Sequence, residues 1–279
     1  MRVLDFTDHR RELDRNRYVY AVVSRRARGL SIGVNLNPDR VCNFDCPYCQ
    51  VDRSQPGGPG AEIEVPGLVA ELDSLLSLID AGTLWDVSPF DTAAPELRRV
   101  ADIAFSGDGE PTTPPAFPAA AEAVRQARDR HRLRVPLRLI TNATMFDRPR
   151  VREALAFFDE LWCKLDAGTA PYFARVDGTR FPFERLLANL TAVARERPIV
   201  LQSMFPSFDG EGPEPAEIEA YLGRLQQITF AGGLIAGVQV YTVARRPADP
   251  RIAALGPEVL EAIAEGVRRL GLPAEVFGS

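Results

Sequence analysis

The chain has 279 residues, 46% of them hydrophobic and 25% charged, with a formal net charge of −5. That is ample apolar material for a large buried core, while no apolar run approaches the length of a bilayer span, and a pI near 5.3 argues against a surface dedicated to nucleic acid. The N-terminal MRVLDFTDHRRELDRNR is too charged for a signal peptide, so a cytoplasmic protein with reduced thiols is expected.

Residues 18 to 24 and 30 to 36 are short β-branched or alternating runs that predict two strands around a basic turn. Next comes VCNFDCPYCQ, which gathers Cys42, Cys46 and Cys49 into one short loop. Thiolates at such close spacings suit an iron-sulfur cluster with one iron left open. A structural zinc site usually takes four Cys or His ligands in paired spacings, and a disulfide framework takes an even count. Three cysteines fit neither, and His9 and His131, the only histidines, lie far away in sequence. The fourth cysteine, Cys163 in LWCKLDAG, reads as a small core residue on a buried strand.

The glycines and prolines of SQPGGPG at 54 to 60 predict a flexible connection. A helix follows, because Leu68, Val69, Leu72, Leu75, Leu76 and Ile79 recur at three- and four-residue spacing before Gly82. Apolar strands and amphipathic helices then alternate. Strands are expected near 102, 137, 160, 199 and 237, and helices at 116–131, 149–158, 182–196, 215–228 and 257–270. With the strand before the cysteine loop this makes six β-α units, which require a parallel sheet. Either a partial barrel or a doubly wound sheet satisfies the count.

The spacing C-x3-C-x2-C, with the aromatic Tyr48 before the last cysteine, resembles the cluster motif of the radical S-adenosylmethionine (SAM) superfamily. The resemblance implies that Cys42, Cys46 and Cys49 hold three irons of a 4Fe-4S cluster, and that the amine and carboxylate of SAM chelate the fourth. It implies reductive cleavage of SAM to methionine and a 5'-deoxyadenosyl radical, with an external electron donor of flavodoxin or ferredoxin type. Between the two architectures it selects the α/β partial (β/α)6 TIM-type barrel. The expected organisation is one domain over 1–279, with a short N-terminal β extension at 1–29, a barrel core at 30–244, and a C-terminal helix and tail at 245–279.

Barrel enzymes place their chemistry in the loops that follow the strands. Ser106, Gly107, Asp108, Gly109 and Glu110 end the strand at 102 and resemble the family's GGE motif at the SAM amino group, with Asp108 in place of the middle glycine. Asn142 in TNAT is a candidate for the SAM ribose or carboxylate, while Thr144 or Asp147 could instead cap the next helix. Lys164 and Asp166 point to one face, opposite Cys163 and Leu165, and need each other or a charged ligand as partner. They resemble the family's lysine-containing strand at the SAM carboxylate and ribose. Tyr48 is expected near the adenine, or else as a ring packed beneath the loop. Gln202, Ser203, Gln239 and Tyr241 are candidates for substrate or ribose contacts.

FSGDGEPT, TNAT, KLDAG, RVDGT and VQVYTVARRP together are similar to a wyosine-synthase-like branch, several of whose members modify tRNA. Those members carry upstream cysteines for a second cluster, and residues 1 to 41 contain none, so a tRNA substrate is not carried over. A tRNA modifier, a glycyl-radical-type activase and a non-catalytic iron-sulfur or zinc module stand as alternatives to a radical SAM enzyme with an unidentified substrate.

Overall fold

The computed structural model describes residues 16–24, 26–51, 53, 62–245, 247 and 249–278. The predicted connection at 54–60 lies outside them. Two compact units emerge: Met1–Cys42 with Pro56–Ile140 and Pro149–Asp159, and Asn43–Gln55 with Thr141–Arg148 and Glu160–Ser279.

In the first unit, β1 (Val19–Ser24) pairs antiparallel with β2 (Gly29–Val34) around the basic turn. β3 (Val100–Phe105) and β4 (Leu137–Thr141) continue the order in parallel. The helix α1 (Val65–Asp80) buries the predicted Leu68, Leu72, Leu75 and Leu76. Its end is a Schellman turn: Gly82, at φ +71°, donates its N–H to Ile79 O at 3.0 Å, and Thr83 donates to Leu78 O at 3.0 Å. Glu71 on α1 accepts from the backbone N–H groups of Arg17, Tyr18 and Val19 at 2.8 to 2.9 Å, tying the entry of β1 to the helix. α2 (Phe117–Arg130) and α3 (Pro149–Ala154) supply the remaining cover. Phe105, Phe117 and Phe158 meet in the core, two contacts edge-on and one stacked, with centroids 5.1 to 6.2 Å apart.

The second unit holds β5 (Glu160–Lys164), β6 (Ile199–Met204), β8 (Ile235–Tyr241) and β10 (Ala274–Phe277), all parallel and adjacent in that order. A small antiparallel ribbon joins β7 (Pro206–Phe208) to β9 (Ile252–Ala254). The helices are α4 (Ala170–Val176), α5 (Phe183–Glu196), α6 (Pro215–Phe230) and α7 (Pro257–Arg269). Alternation assigns the faces of β6. Ser203 Oγ bonds Tyr221 Oη of α6 at 2.7 Å, and the Phe205 and Tyr221 rings meet edge-on at 5.1 Å. Gln202 and Met204 therefore look away from α6.

The predicted strands and long helices are all present. The chain adds α4, the ribbon, three 3-10 turns between Leu84 and Leu97, and β10, where only a helix and tail are expected. No helix among the described residues is long and apolar enough to cross a membrane.

Candidate functional site

In the first unit the loop after β3 is held mainly by its own neighbours. Asn35, just past β2, donates its amide to Asp108 Oδ2 at 2.7 Å and accepts from the N–H groups of Asp108 at 3.1 Å and Asn37 at 2.9 Å. Ser106 Oγ bonds Tyr20 Oη at 2.7 Å. Glu110 is buried and accepts from Thr112 Oγ1 at 2.5 Å and Thr112 N at 3.2 Å. The glycines are needed for close approach: a Cβ at Gly107 would lie 2.3 Å from Asn35 Oδ1, and one at Gly109 2.1 Å from Val41 O. The chain segment leading into the cysteines occupies that space. Asn37 Oδ1 is buried without a hydrogen-bond partner.

All three cysteines of the triplet are half-buried and in no disulfide, whereas Cys163 is sealed in the core. Cys42 closes one segment of the first unit, and Cys46 and Cys49 belong to the second. Cys49 N–H donates to Cys46 O at 2.9 Å, making a tight turn. Phe44 anchors this loop edge-on to Phe173 of α4 at 5.7 Å. Gly178, at φ +56°, lets the turn after α4 come so close that a Cβ there would lie 1.9 Å from Asp45 O.

Beneath the loop the second unit concentrates charge. Lys164 Nζ lies 2.6 Å from Asp166 Oδ2 and 3.4 Å from Asp177 Oδ1, and it also donates to Tyr48 Oη. Tyr48 in turn donates to Asp166 Oδ2, and the lysine ammonium sits 4.5 Å from the centre of its ring. Asp166 Oδ1 accepts from Met204 N–H at 2.9 Å, and Cys46 Sγ contacts Asp177 Oδ1 at 3.6 Å. Asp177 Oδ2 is buried and has no hydrogen-bond partner. Burial alone would lower the lysine pKa, but Asp166 and Asp177 outweigh it and hold the amine above its ordinary value. Burial raises the Asp166 carboxyl and pushes Asp177 up to about 8, each opposed by Lys164. Burial likewise raises the Cys46 thiol.

Two further side chains set the backbone here. Glu217 of α6 accepts from Gly168 N–H at 2.5 Å, Thr169 N–H at 3.2 Å and Thr169 Oγ1 at 2.6 Å, while Arg224 one face-repeat later donates to Gly168 O at 2.8 Å. Together they grip the loop that follows Asp166. Asn189 of α5 donates to Ala143 O at 3.0 Å and Thr144 O at 3.2 Å, holding Ala143 at φ +59°, a conformation that costs a non-glycine residue roughly 1–3 kcal/mol. Asn142 donates to Asn43 Oδ1 at 2.8 Å and accepts from Thr144 Oγ1 at 2.7 Å, so it ties the cysteine loop to the loop after β4.

The donor set suits a cluster better than a single ion. Among the described residues no group of three or more His, Cys, Asp or Glu is placed to hold one metal ion. A four-iron cube asks for something else, since each thiolate takes its own iron. Cys42, Cys46 and Cys49 are half-buried and in no disulfide, so each has a thiol to offer its own iron.

No family model matches the chain. A radical SAM methyltransferase from Sphaerobacter thermophilus superposes over 94% of this chain and 69% of its own, with a TM-score of 0.63 at 17% identity. The fold is that of the radical SAM enzymes. A structure of TYW1 with a lysine-pyruvate adduct bound superposes over 87% of this chain and 74% of its own, with a TM-score of 0.54 at 14% identity. In sequence, a UPF0026 protein of Helicobacter pylori strain J99 is 28% identical over 160 residues, 57% of this chain and 46% of that protein. The chain spans about half the length of the curated relatives it matches.

Within the radical SAM fold, Tyr48, Lys164 and Asp166 come together, and Gln202 bonds Gln239. Ser203 faces α6, and Thr144 bonds Asn142 in place of capping a helix. Sequence reasoning missed Asp177, Asn189 and Glu217. Asp177 stood inside the quoted RVDGT, where a carboxylate directly before a glycine turn was its signal.

Proposed function

We propose that the chain is a radical SAM enzyme in which Cys42, Cys46 and Cys49 ligate a 4Fe-4S cluster. The observation that carries this reading is the C-x3-C-x2-C loop of half-buried thiols in a chain with the radical SAM fold. When bound, the reduced cluster supplies the electron that splits SAM into methionine and a 5'-deoxyadenosyl radical. The residues of the chain do the placing. Lys164 presents a cation to the SAM carboxylate, kept charged by Asp166 and Asp177. Tyr48 holds that ammonium from below the loop, and Asp166 is fixed by Met204 N–H, so the charges keep their positions as a ligand enters. Ser106, Gly107, Asp108, Gly109 and Glu110 offer carbonyls and a carboxylate to the SAM amino group, and Asn142 completes the contacts. We assign the external electron to a flavodoxin- or ferredoxin-type donor.

Electron paramagnetic resonance tests the open iron. After anaerobic reconstitution with iron and sulfide, the dithionite-reduced protein should give a cluster signal that changes shape when SAM is added. A signal indifferent to SAM, or a protein that takes up only zinc with no sulfide-dependent absorption, would contradict the reading.

A further inference from the structure

The face of the second unit's sheet that looks away from α6 carries a polar row in strict register. Lys164 of β5 stands opposite Gln202 of β6, Gln202 opposite Gln239 of β8, and Gln239 opposite Glu275 of β10. The next layer toward the strand ends is Met204 and Tyr241, and the layer below is Val200 and Gly237. Two buried amides between such layers need partners, since an unpaired amide in apolar surroundings is costly.

They satisfy each other only by half. Gln202 Nε2 donates to Gln239 Oε1 at 2.8 Å, which leaves Gln202 Oε1 and Gln239 Nε2 without a partner among the described residues. Exchanging oxygen and nitrogen in both side chains leaves the same pattern, one acceptor beside one donor. Neither atom is sealed: both are absent from the closed-off, unbonded atoms among which Asp177 Oδ2 is found. The remaining hydrogen-bonding capacity of the pair therefore opens onto accessible space.

Gly237 supplies that space. It lies on the same face as Gln239, one layer below, and a Cβ built on it would meet a single atom within 4 Å, Pro273 O at 3.9 Å. A glycine inside a strand with nothing packed over it marks a place where a ligand can approach the backbone.

We propose that Gln202 and Gln239 form a substrate-reading site for a molecule that presents an amide-type edge, a carbonyl next to an N–H, with Gly237 as its floor. The substrate's N–H bonds the free glutamine oxygen and its carbonyl accepts from the free glutamine N–H. This names the substrate class of the radical SAM reading and rests on it for the reaction, while the binding itself rests only on the glutamine pair. Gln239 stands two strands from Lys164, the cation offered to the SAM carboxylate, and Gly237 lies one layer below Gln239, so the pair and its floor extend away from the SAM contacts.

Ligand-observed saturation-transfer NMR on the reconstituted full-length protein tests it, with 2-pyrrolidinone as the probe and N-methyl-2-pyrrolidinone, which lacks the N–H, as its control. The lactam should bind about tenfold more tightly than its N-methyl analogue, the factor expected for one good hydrogen bond. That preference should disappear in Gln239→Met and in Gln202→Met, either of which suffices if the other fails to fold, and it should persist with saturating SAM. No binding, equal binding of the two probes, a preference that survives both variants, or displacement of the lactam by SAM would each overturn the proposal. Should the probes fail while 5'-deoxyadenosine still forms, the substrate class falls and the radical SAM reading stands. Should the lactam bind while no 5'-deoxyadenosine forms, the reverse holds.

Discussion

Each unit holds a half-buried cation on a parallel strand, and the two solve the resulting problem differently. In the first, Arg138 of β4 pairs with Asp102 of β3, whose other oxygen accepts a hydrogen bond from the hydroxyl of Ser31 on β2. Both oxygens of that carboxylate have partners. In the second, Lys164 meets two carboxylates and a phenol, and one oxygen of Asp177 is left over. A carboxylate with both oxygens satisfied is what stability alone requires; a buried acceptor left unsatisfied next to half-buried thiols is what a ligand site offers. The second arrangement is therefore the one that the chemistry would use.

The largest contrast expected is between cysteines. Cys46→Ala should abolish both sulfide-dependent absorption and SAM cleavage, whereas Cys163→Ala, in the core, should keep both; cluster loss in the second variant would contradict its assignment as packing. Next in size, Asp102→Asn should cost roughly 3 kcal/mol in denaturant unfolding, because it removes the buried charge that faces the half-buried Arg138 guanidinium. Glu217→Ala follows, at about 1–3 kcal/mol, since it leaves buried N–H groups unpaired. Hydrogen exchange should localise that loss to Gly168 and Thr169, and Glu217→Gln should restore part of it. Smallest is Asp177→Asn, which keeps the Lys164–Asp166 pair and should stay within about 1 kcal/mol of the parent. If Asp177→Asn costs as much as Asp102→Asn, the two half-buried cations are alike and the contrast drawn between them is wrong.

Much of this was legible in the sequence because it depends on local period and spacing. Leu68 to Ile79 mark α1, and alternation around Cys163 puts Lys164 and Asp166 on one face. β10 escaped because four residues, AEVF, carry too little period to distinguish a strand from a tail. Asp177 and Glu217 escaped because their partners lie far along the chain: Tyr48 precedes Asp177 by 129 positions, and Gly168 precedes Glu217 by 49. The glycines of the loop after β3 lie against Asn35 and Val41, a close approach between segments that no local pattern encodes.

The central claim is that the open iron of the cysteine loop cleaves SAM. Anaerobic incubation of the reconstituted protein with SAM and dithionite, followed by chromatography of the products, measures it directly. The account predicts 5'-deoxyadenosine and methionine in equal amounts, both lost in Cys46→Ala. An intact cluster that yields neither would contradict it.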